Sequence, residues 1–293
     1  MTLRSPDAQR VPMPPAPVTW ADWVRRNPTV AAGGALLLVM LAVAALAPWL
    51  GTADPLNINP IQRLRAPAAA YWFGTDMLGR DVYSRTLYGS RISLVVGLSV
   101  ATLSTGLGLL IGVVAGSSRA LDTVLMRVMD GLMAIPAILL AVAITALAKA
   151  SVTSVIVALT VPEVPRVVRL VRSLVLSLRE QPYVEAADAL GASFWRVVFR
   201  HLLPNTLAPL IVQGTYICAS AVIFEAYLSF LGAGTPPEIP SWGNMMAEGR
   251  SYIQLGFWIV LFPGLSLAVT VLGINLLGDG LRDTLDPRLR NRV

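Results

Sequence analysis

The sequence is poor in charge and in the residue types that most often carry chemistry. Charged residues occupy 14% of its 293 positions, compared with about 25% in soluble domains, and this excludes an ordinary soluble protein. The chain has one lysine, Lys149, one cysteine, Cys218, and one histidine, His201. One cysteine cannot form an intrachain disulfide, and one cysteine with one histidine cannot build a His/Cys zinc site.

The single lysine also excludes a nucleotide-binding loop. A P-loop ends in Gly-Lys-Ser/Thr, because its lysine reaches the phosphates of the nucleotide. Lys149 follows Ala148 rather than a glycine, so the chain has no such motif. Any ATP that drives this protein is therefore hydrolysed on another polypeptide.

Apolar residues are abundant. They make up 55% of the chain, and the mean hydropathy is +0.65. A bilayer core about 30 Å thick is crossed by a helix of roughly 20 apolar residues. Six runs of this length predict an all-α membrane protein with six transmembrane helices. They lie near Val30–Leu50, Ile92–Gly116, Thr123–Leu147, Val152–Val171, Leu207–Leu231 and Gly256–Leu277.

The basic residues predict how these spans are oriented. With the N-terminus inside, 16 of the 23 Lys and Arg residues fall in cytoplasmic segments, as the positive-inside rule requires. Six spans then place both termini in the cytoplasm. The first outer loop is an exception, because it contains Arg63, Arg65, Arg80, Arg85 and Arg91. The net charge of +6 is attributed to a membrane surface rather than to nucleic acid.

These observations divide the chain into five segments. They are a partly disordered cytoplasmic segment (1–27), the first transmembrane helix (28–50), an extracytoplasmic loop (51–91), a five-helix core (92–278) and a cytoplasmic tail (279–293). Within the extracytoplasmic loop, Arg80–Tyr88 has the pattern of an amphipathic helix lying on the membrane surface. The core includes a polar loop, residues 178–205, which is too regular in pattern to be a flexible linker.

The 178–205 loop has the pattern of two short helices. The first covers about Tyr183–Leu190 and ends at Gly191, a residue type favoured just past a helix end because it tolerates positive φ. Ser193 is placed to cap a second helix, Phe194–Leu203, which Pro204 is expected to end. The two helices predict a compact knob on the cytoplasmic side.

This loop resembles a known motif. Glu185-Ala186-Ala187, then Gly191, and later Leu203-Pro204 are similar to the EAA loop of permease subunits of binding-protein-dependent ABC importers. In that family the loop holds a coupling helix that docks in a groove of the cytoplasmic ATPase. The small residues would allow close approach of a partner, while Glu185, Arg196 and Arg200 would supply polar anchors.

Other stretches narrow the resemblance to the dipeptide, oligopeptide and nickel permeases, and to the C-type permease of dipeptide importers in particular. These stretches are Gly74-Thr75-Asp76, Gly79-Arg80-Asp81-Val82, Leu228-Ser229-Phe230-Leu231-Gly232, Asn275-Leu276-Leu277-Gly278-Asp279 and Leu281-Arg282-Asp283. The resemblance implies the type I importer architecture in a bacterial inner membrane. It also implies a homologous permease partner in a heterodimer, two cytoplasmic ATPase subunits that carry ATP and Mg, and an extracytoplasmic substrate-binding protein.

Three carboxylates inside the expected spans are candidates for a pathway or for polar contacts between helices, because an ionisable group in the bilayer needs a partner or water. Asp130 lies near Arg127, and Glu163 lies near Arg166. Glu225 has no basic residue within four positions, so it must find a partner on another helix, a water-filled cavity or a substrate ammonium group. No catalytic, cofactor or metal residue is expected on this chain, and we do not expect it to be an enzyme.

The residues leave other functions open. The same architecture could carry nickel or another small solute instead of di- or oligopeptides. A proton-coupled secondary carrier would need intramembrane carboxylates in related halves, and no such repeat is visible. A membrane scaffold without transport activity would leave the patterned 178–205 loop unexplained.

Overall fold

Helices form nearly all of the regular structure. The computed structural model describes residues 24–285, and there the extended contacts are two isolated β-bridges, Ala68 with Tyr71 and Thr75 with Asp81. The α-helices are α1 (Pro28–Leu46), α2 (Val82–Ser117), α3 (Arg119–Met133), α4 (Ala137–Leu147), α5 (Val152–Arg179), α6 (Pro182–Ala189), α7 (Phe194–Val197), α8 (Leu203–Phe230), α9 (Trp242–Gly249) and α10 (Trp258–Leu285). A π-helical turn, Val198–Leu202, joins α7 to α8.

Four helical segments of the described chain are long and apolar enough to cross a membrane. They are Pro28–Trp49, Val82–Ser117, Phe194–Phe230 and Trp258–Leu285. The pair α3 and α4 forms a fifth span if it is counted as one bent segment. Helix α5 is also long enough, at 28 residues. It carries Glu163 and four arginines, however, and is therefore more highly charged than the four apolar segments. The expected six spans therefore require both α5 and the bent pair to cross.

The third expected span is broken. The sequence predicts one helix over Thr123–Leu147, whereas α3 ends at Met133 and α4 begins at Ala137, with a bend of 87° between them. Pro136 explains the break, because proline lacks a backbone N–H and disfavours the helical conformation of Ile135 before it.

Helix α5 shows the opposite difference. Pro162 and Pro165 predict a break in its second half, yet the helix is continuous from Val152 to Arg179. Val164 and Pro165 are buried, and α5 packs closely on α2. Packing of this kind lets membrane helices tolerate proline, because neighbouring groups compensate for the lost backbone hydrogen bond.

The close packing of α2 on α5 forms the centre of the bundle. Three glycines spaced one turn apart on α2 each face a valine of α5, and a Cβ atom at these glycines would lie 2.4 to 2.7 Å from the valine side chain. Small residues allow helix backbones to approach in this way within a membrane. The pairs are Gly108 with Val167, Gly112 with Val171, and Gly116 with Val175.

A polar cap closes one end of the bundle. We define the cap as residues 50–81 and 231–257, and call the opposite end, which carries the 178–205 loop, the loop end. Two tryptophans attach the cap through their indole N–H groups. Trp242 donates to the Thr86 carbonyl at 3.0 Å, and Trp258 donates to the Thr75 carbonyl at 3.0 Å.

The start of α2 lies within this cap end and corrects the expectation for residues 80–88. Instead of an amphipathic surface helix, the chain from Val82 onward forms the first turns of α2, and most of these residues are buried. Asp81 caps the helix by accepting a hydrogen bond from the Ser84 N–H at 2.9 Å. Burial of Arg85 is compatible with this arrangement because Asp76 and Glu248 face it.

Candidate functional site

The buried face of the 178–205 loop fixes it to the bundle. Helix α6 ends at Ala189, and Gly191 follows with φ of +77°. The Ala192 N–H then bonds back to the Ala187 carbonyl at 3.0 Å, as expected for a helix that ends in a left-handed glycine. The loop's apolar anchors are buried in the main core, which gives the knob a defined position. These anchors are Val184, Val197, Val198 and Leu202.

The second half of the loop differs from the sequence expectation. The Ser193 side chain makes no capping hydrogen bond, and its carbonyl instead accepts from the Val197 N–H at 3.1 Å. Pro204 does not end a helix, because it lies just after the π-helical turn Val198–Leu202, in the first turn of α8. The helical path therefore continues without interruption from Phe194 to Phe230.

The outer face of the loop exposes large apolar side chains. Leu190 is 88% exposed, Trp195 64% and Phe199 62%. The Trp195 and Phe199 rings stack with centroids 5.9 Å apart. We call this surface the loop patch, and its members are Tyr183, Leu190, Phe194, Trp195 and Phe199. Of these, Phe194, Trp195 and Phe199 form one continuous group of rings, and large exposed apolar groups of this kind are typical of interaction sites.

This aromatic surface was not predicted from the sequence, which indicated only a short helix beginning at Phe194. Phe194 is half exposed. The signal was present in the spacing of Trp195 and Phe199, which puts both rings on one side of a helix.

The motif residues expected in this loop lie around the loop patch. Glu185 and Ala186 are exposed, and Ala187 is half-buried. Arg196 and Arg200 are exposed and form no ion pair within residues 24–285. Leu203 is half-buried and Pro204 is exposed, where the loop enters α8. The structure thus exposes most of the candidate residues, while their role in docking stays a prediction.

Glu225 lies in the core of α8 with no exposed surface. The Ser93 hydroxyl of α2 donates to its carboxyl group at 3.3 Å, and the Ser229 hydroxyl donates at 3.0 Å. The Ser241 hydroxyl also contacts this carboxyl group. The sequence leaves three partners open for Glu225: another helix, a water-filled cavity or a substrate ammonium group. In the described structure Glu225 contacts another helix.

The other two carboxylates form ion pairs. Asp130 of α3 pairs with Arg169 of α5 at 2.6 Å, rather than with Arg127 in its own helix. Glu163 is buried and pairs with Arg166 one turn along α5 at 3.1 Å. Within residues 24–285 no group of three or more His, Cys, Asp or Glu residues is placed to hold a metal ion.

Comparison with known families identifies the class of protein. Residues 106–291 match the family described as the binding-protein-dependent transport system inner membrane component. The match covers more than half of the chain, and the chain belongs to this family.

Similar curated proteins cover nearly the whole sequence. The chain is 54% identical over 268 residues to a protein of Sinorhizobium fredii named a probable peptide ABC transporter permease, with 92% of each chain covered. It is 42% identical to a di/tripeptide transport system permease protein of Pseudomonas aeruginosa, with 89% of each chain covered. It is 41% identical to a dipeptide transport system permease protein of Alkalihalophilus pseudofirmus, with 92% of this chain and 88% of that protein covered.

The fold is similar to that of a chain in an inward-facing structure of the MetNI methionine ABC transporter. The TM-score is 0.57 at 22% identity, and the alignment covers 69% of this chain and 96% of that chain. At this identity the likeness concerns the fold alone. The all-α importer-permease architecture expected from the sequence is confirmed.

Proposed function

We propose that this chain is the membrane-spanning permease subunit of an ATP-driven importer that carries di- or oligopeptides across the bacterial cytoplasmic membrane. Membership of the inner membrane component family supports the transport role. The cargo is supported by relatives whose names specify peptide, dipeptide or di/tripeptide systems, at 41 to 54% identity.

The loop patch is the structural observation that carries this proposal. It exposes aromatic rings beside Glu185, Arg196 and Arg200 at the end of a helix that runs through the bundle. Aromatic residues together with arginine are typical of protein interfaces. We assign the loop end to the cytoplasm and the loop patch to contact with a separate ATPase subunit, which would hold ATP and Mg.

This orientation also decides on which side of the membrane the remaining partners would act. Both termini lie in the cytoplasm, and the cap faces outward, where a substrate-binding protein would deliver peptide. A homologous permease chain would supply the other half of the translocation path, and two ATPase subunits would serve the pair. This chain contributes movement and polar contacts, with no catalytic group of its own.

Truncation of the loop patch tests the proposed coupling. Trp195→Ala should weaken association with the ATPase subunits about 30-fold, since loss of a central interface aromatic costs about 2 kcal/mol. ATP-driven uptake of a labelled dipeptide by proteoliposomes should fall with it. Because Trp195 is 64% exposed, the isolated variant should keep the parent's thermal unfolding temperature.

Trp49→Ala provides a matched control. Trp49 is 78% exposed near the cap end of α1, so its loss should leave ATPase association unchanged. Equal association of both variants with the ATPase would contradict the assigned docking surface. Uptake of nickel without uptake of any peptide would contradict the proposed cargo.

A further inference from the structure

A row of polar side chains follows one face of α8, within the length that would cross a bilayer. Gln213, Tyr216, Ser220 and Tyr227 are separated by helical spacings that place them on the same side, where Phe224 is the apolar member between Ser220 and Tyr227. Tyr216 is 56% exposed and Tyr227 is 52% exposed. The opposite side of α8 is different in character, since it carries Ile211, 49% exposed, in an apolar groove.

A second polar row lies beside it on α10. Asn275, Asp279 and Arg282 are exposed and share one face of that helix. The two rows meet where Gly278 packs against Thr215, because a Cβ at Gly278 would lie 2.3 Å from the Thr215 hydroxyl oxygen.

The two rows line a polar cavity of about 210 Å³. Its polar lining includes Gln213, Tyr216, Asn275, Asp279 and Arg282, and we call these five residues the seam pocket. Across residues 24–285, none of their side chains forms a hydrogen bond or an ion pair. The amide nitrogen of Gln213 is buried without a partner, a condition that costs about 1 to 3 kcal/mol unless another molecule supplies one.

The depth of the pocket argues against a lipid headgroup as its ligand. The 28 residues of α10 between Trp258 and Leu285 are about 42 Å long, so the helix, centred upright on a 30 Å hydrocarbon core, would extend about 6 Å beyond each side. Asn275 lies about 15 Å from the end of α10 and therefore about 9 Å inside the core. Gln213 lies at a similar distance from the start of α8. By the same arithmetic Arg282 lies at the membrane surface, so the pocket runs inward from there; a headgroup would reach Arg282 but not the Gln213 amide, which hydrocarbon cannot satisfy either.

The chemistry of the lining fits a peptide. The seam pocket presents one carboxylate, one guanidinium, two carboxamides and one phenol. A short peptide presents an ammonium group, a carboxylate and main-chain amides, so each of its polar groups meets a complementary one here.

We propose that the polar face of α8 is part of this chain's wall of the translocation path, and that the seam pocket binds the main chain and charged ends of a peptide in transit. This proposal rests on the proposed function, since its ligand is the transported peptide. It assigns a binding site to the permease itself, in the loop-end half of the bundle.

Cysteine accessibility provides the test. Cys218 is the only native cysteine of this chain and is buried, so Cys218→Ala removes its native thiol, and labelling is read on this chain after its partners are separated from it under denaturing conditions. Into the Cys218→Ala chain we would introduce Tyr216→Cys on the polar face and Ile211→Cys on the apolar face, two positions of similar exposure. The assembled complex, in lipid nanodiscs without binding protein, is treated with a methanethiosulfonate that bears a trimethylammonium group.

The cysteine at 216 should react at least about tenfold faster than the one at 211, because a thiolate forms readily in water and poorly in hydrocarbon. Alanyl-phenylalanine at about ten times its Kd should slow the reaction at 216 about tenfold, since only empty sites react. A cysteine at Ile61 in the cap, 81% exposed, should react at the same rate with and without the peptide.

Three results would overturn the proposal. Equal rates at 216 and 211 would show that α8 has no hydrated face. Reaction at 216 in the isolated chain but not in the complex would mean that a partner subunit covers this surface. Rapid reaction at 216 that the peptide does not slow would show that the peptide does not bind in the seam pocket. ATP-driven uptake of the same dipeptide, measured in parallel on the Cys218→Ala complex, separates these failures from failure of the proposed function, since the latter would abolish uptake.

Discussion

The carboxyl group of Glu225 is held by hydroxyl groups alone in the described structure. Ser93 reaches it from α2, Ser229 from the next turn of α8, and Ser241 from the start of α9. A buried polar group at the junction of three elements fixes their relative positions, because each partner loses a hydrogen bond if one element moves. This geometry favours a role in holding α2, α8 and α9 together.

Glu225→Ala should lower the stability of the chain by about 1 to 3 kcal/mol, because it leaves buried hydroxyl groups without an acceptor. Glu225→Gln keeps the side chain's size and one acceptor oxygen, so it should lose less than half as much. Thermal unfolding in detergent measures both changes. If the Gln variant unfolds like the parent but no longer supports peptide uptake, the carboxylate has a functional role beyond joining these elements.

At the scale of secondary structure, α2 packs closely on α5 because its contacting residues are glycines, which have no side chain. Gly112 meets Val171 so closely that a Cβ would lie 2.7 Å from the valine Cβ. Gly106 is on the same helix, and a Cβ there would have no atom within 4 Å. The two positions separate the effect of packing from the effect of helix propensity.

Gly112→Ala should destabilise the bundle by about 1 to 3 kcal/mol, because a methyl group at this contact must force the helices apart. Gly106→Ala should be neutral or stabilising by up to about 1 kcal/mol, since alanine is the better helix former. Unfolding temperatures of the two variants in the same detergent provide the comparison. Equal destabilisation at both positions would indicate that the two helices do not pack closely.

The sequence predicts helices better than it predicts where they end or which faces meet. Apolar runs locate the spans because hydropathy is a local property. The start of α2 at Val82 could not be predicted locally, because Arg85 is buried beside Glu248, which is far away in the sequence. The helical pattern of the 178–205 loop was predicted from the sequence, whereas the seam pocket required knowing that α8 and α10 are neighbours.

At the scale of the whole molecule, one ionic cluster joins the first cap segment to the second. Arg80 pairs with Asp76 and Glu248, and Arg85, only 1% exposed, contacts the same two carboxylates. The two positive and two negative groups balance one another. The cluster links the loop before α2 to α9, and it therefore holds the two parts of the cap as a unit.

Glu248→Gln should destabilise the cap by about 3 kcal/mol, because removing one partner leaves a buried arginine incompletely compensated. Protease cleavage in residues 50–81 should become faster in the variant. Glu238→Gln is the control, since Glu238 is exposed and unpaired within residues 24–285, and its effect should stay within about 0.5 kcal/mol. Equal cleavage rates in both variants would contradict the assigned role of the cluster.

The unbroken helix from Phe194 to Phe230 has a mechanical consequence. Its 37 residues form a helical path about 55 Å long, with the loop patch at one end and the cap at the other. A tilt of about 5° about the loop end, transmitted over that whole length, would displace the far end by about 5 Å. The π-helical turn Val198–Leu202 and the prolines Pro204 and Pro209 lie in the loop-end part of this path, and bending there would absorb part of the tilt, so the stiffness of these turns sets how much movement at the loop patch reaches the cap.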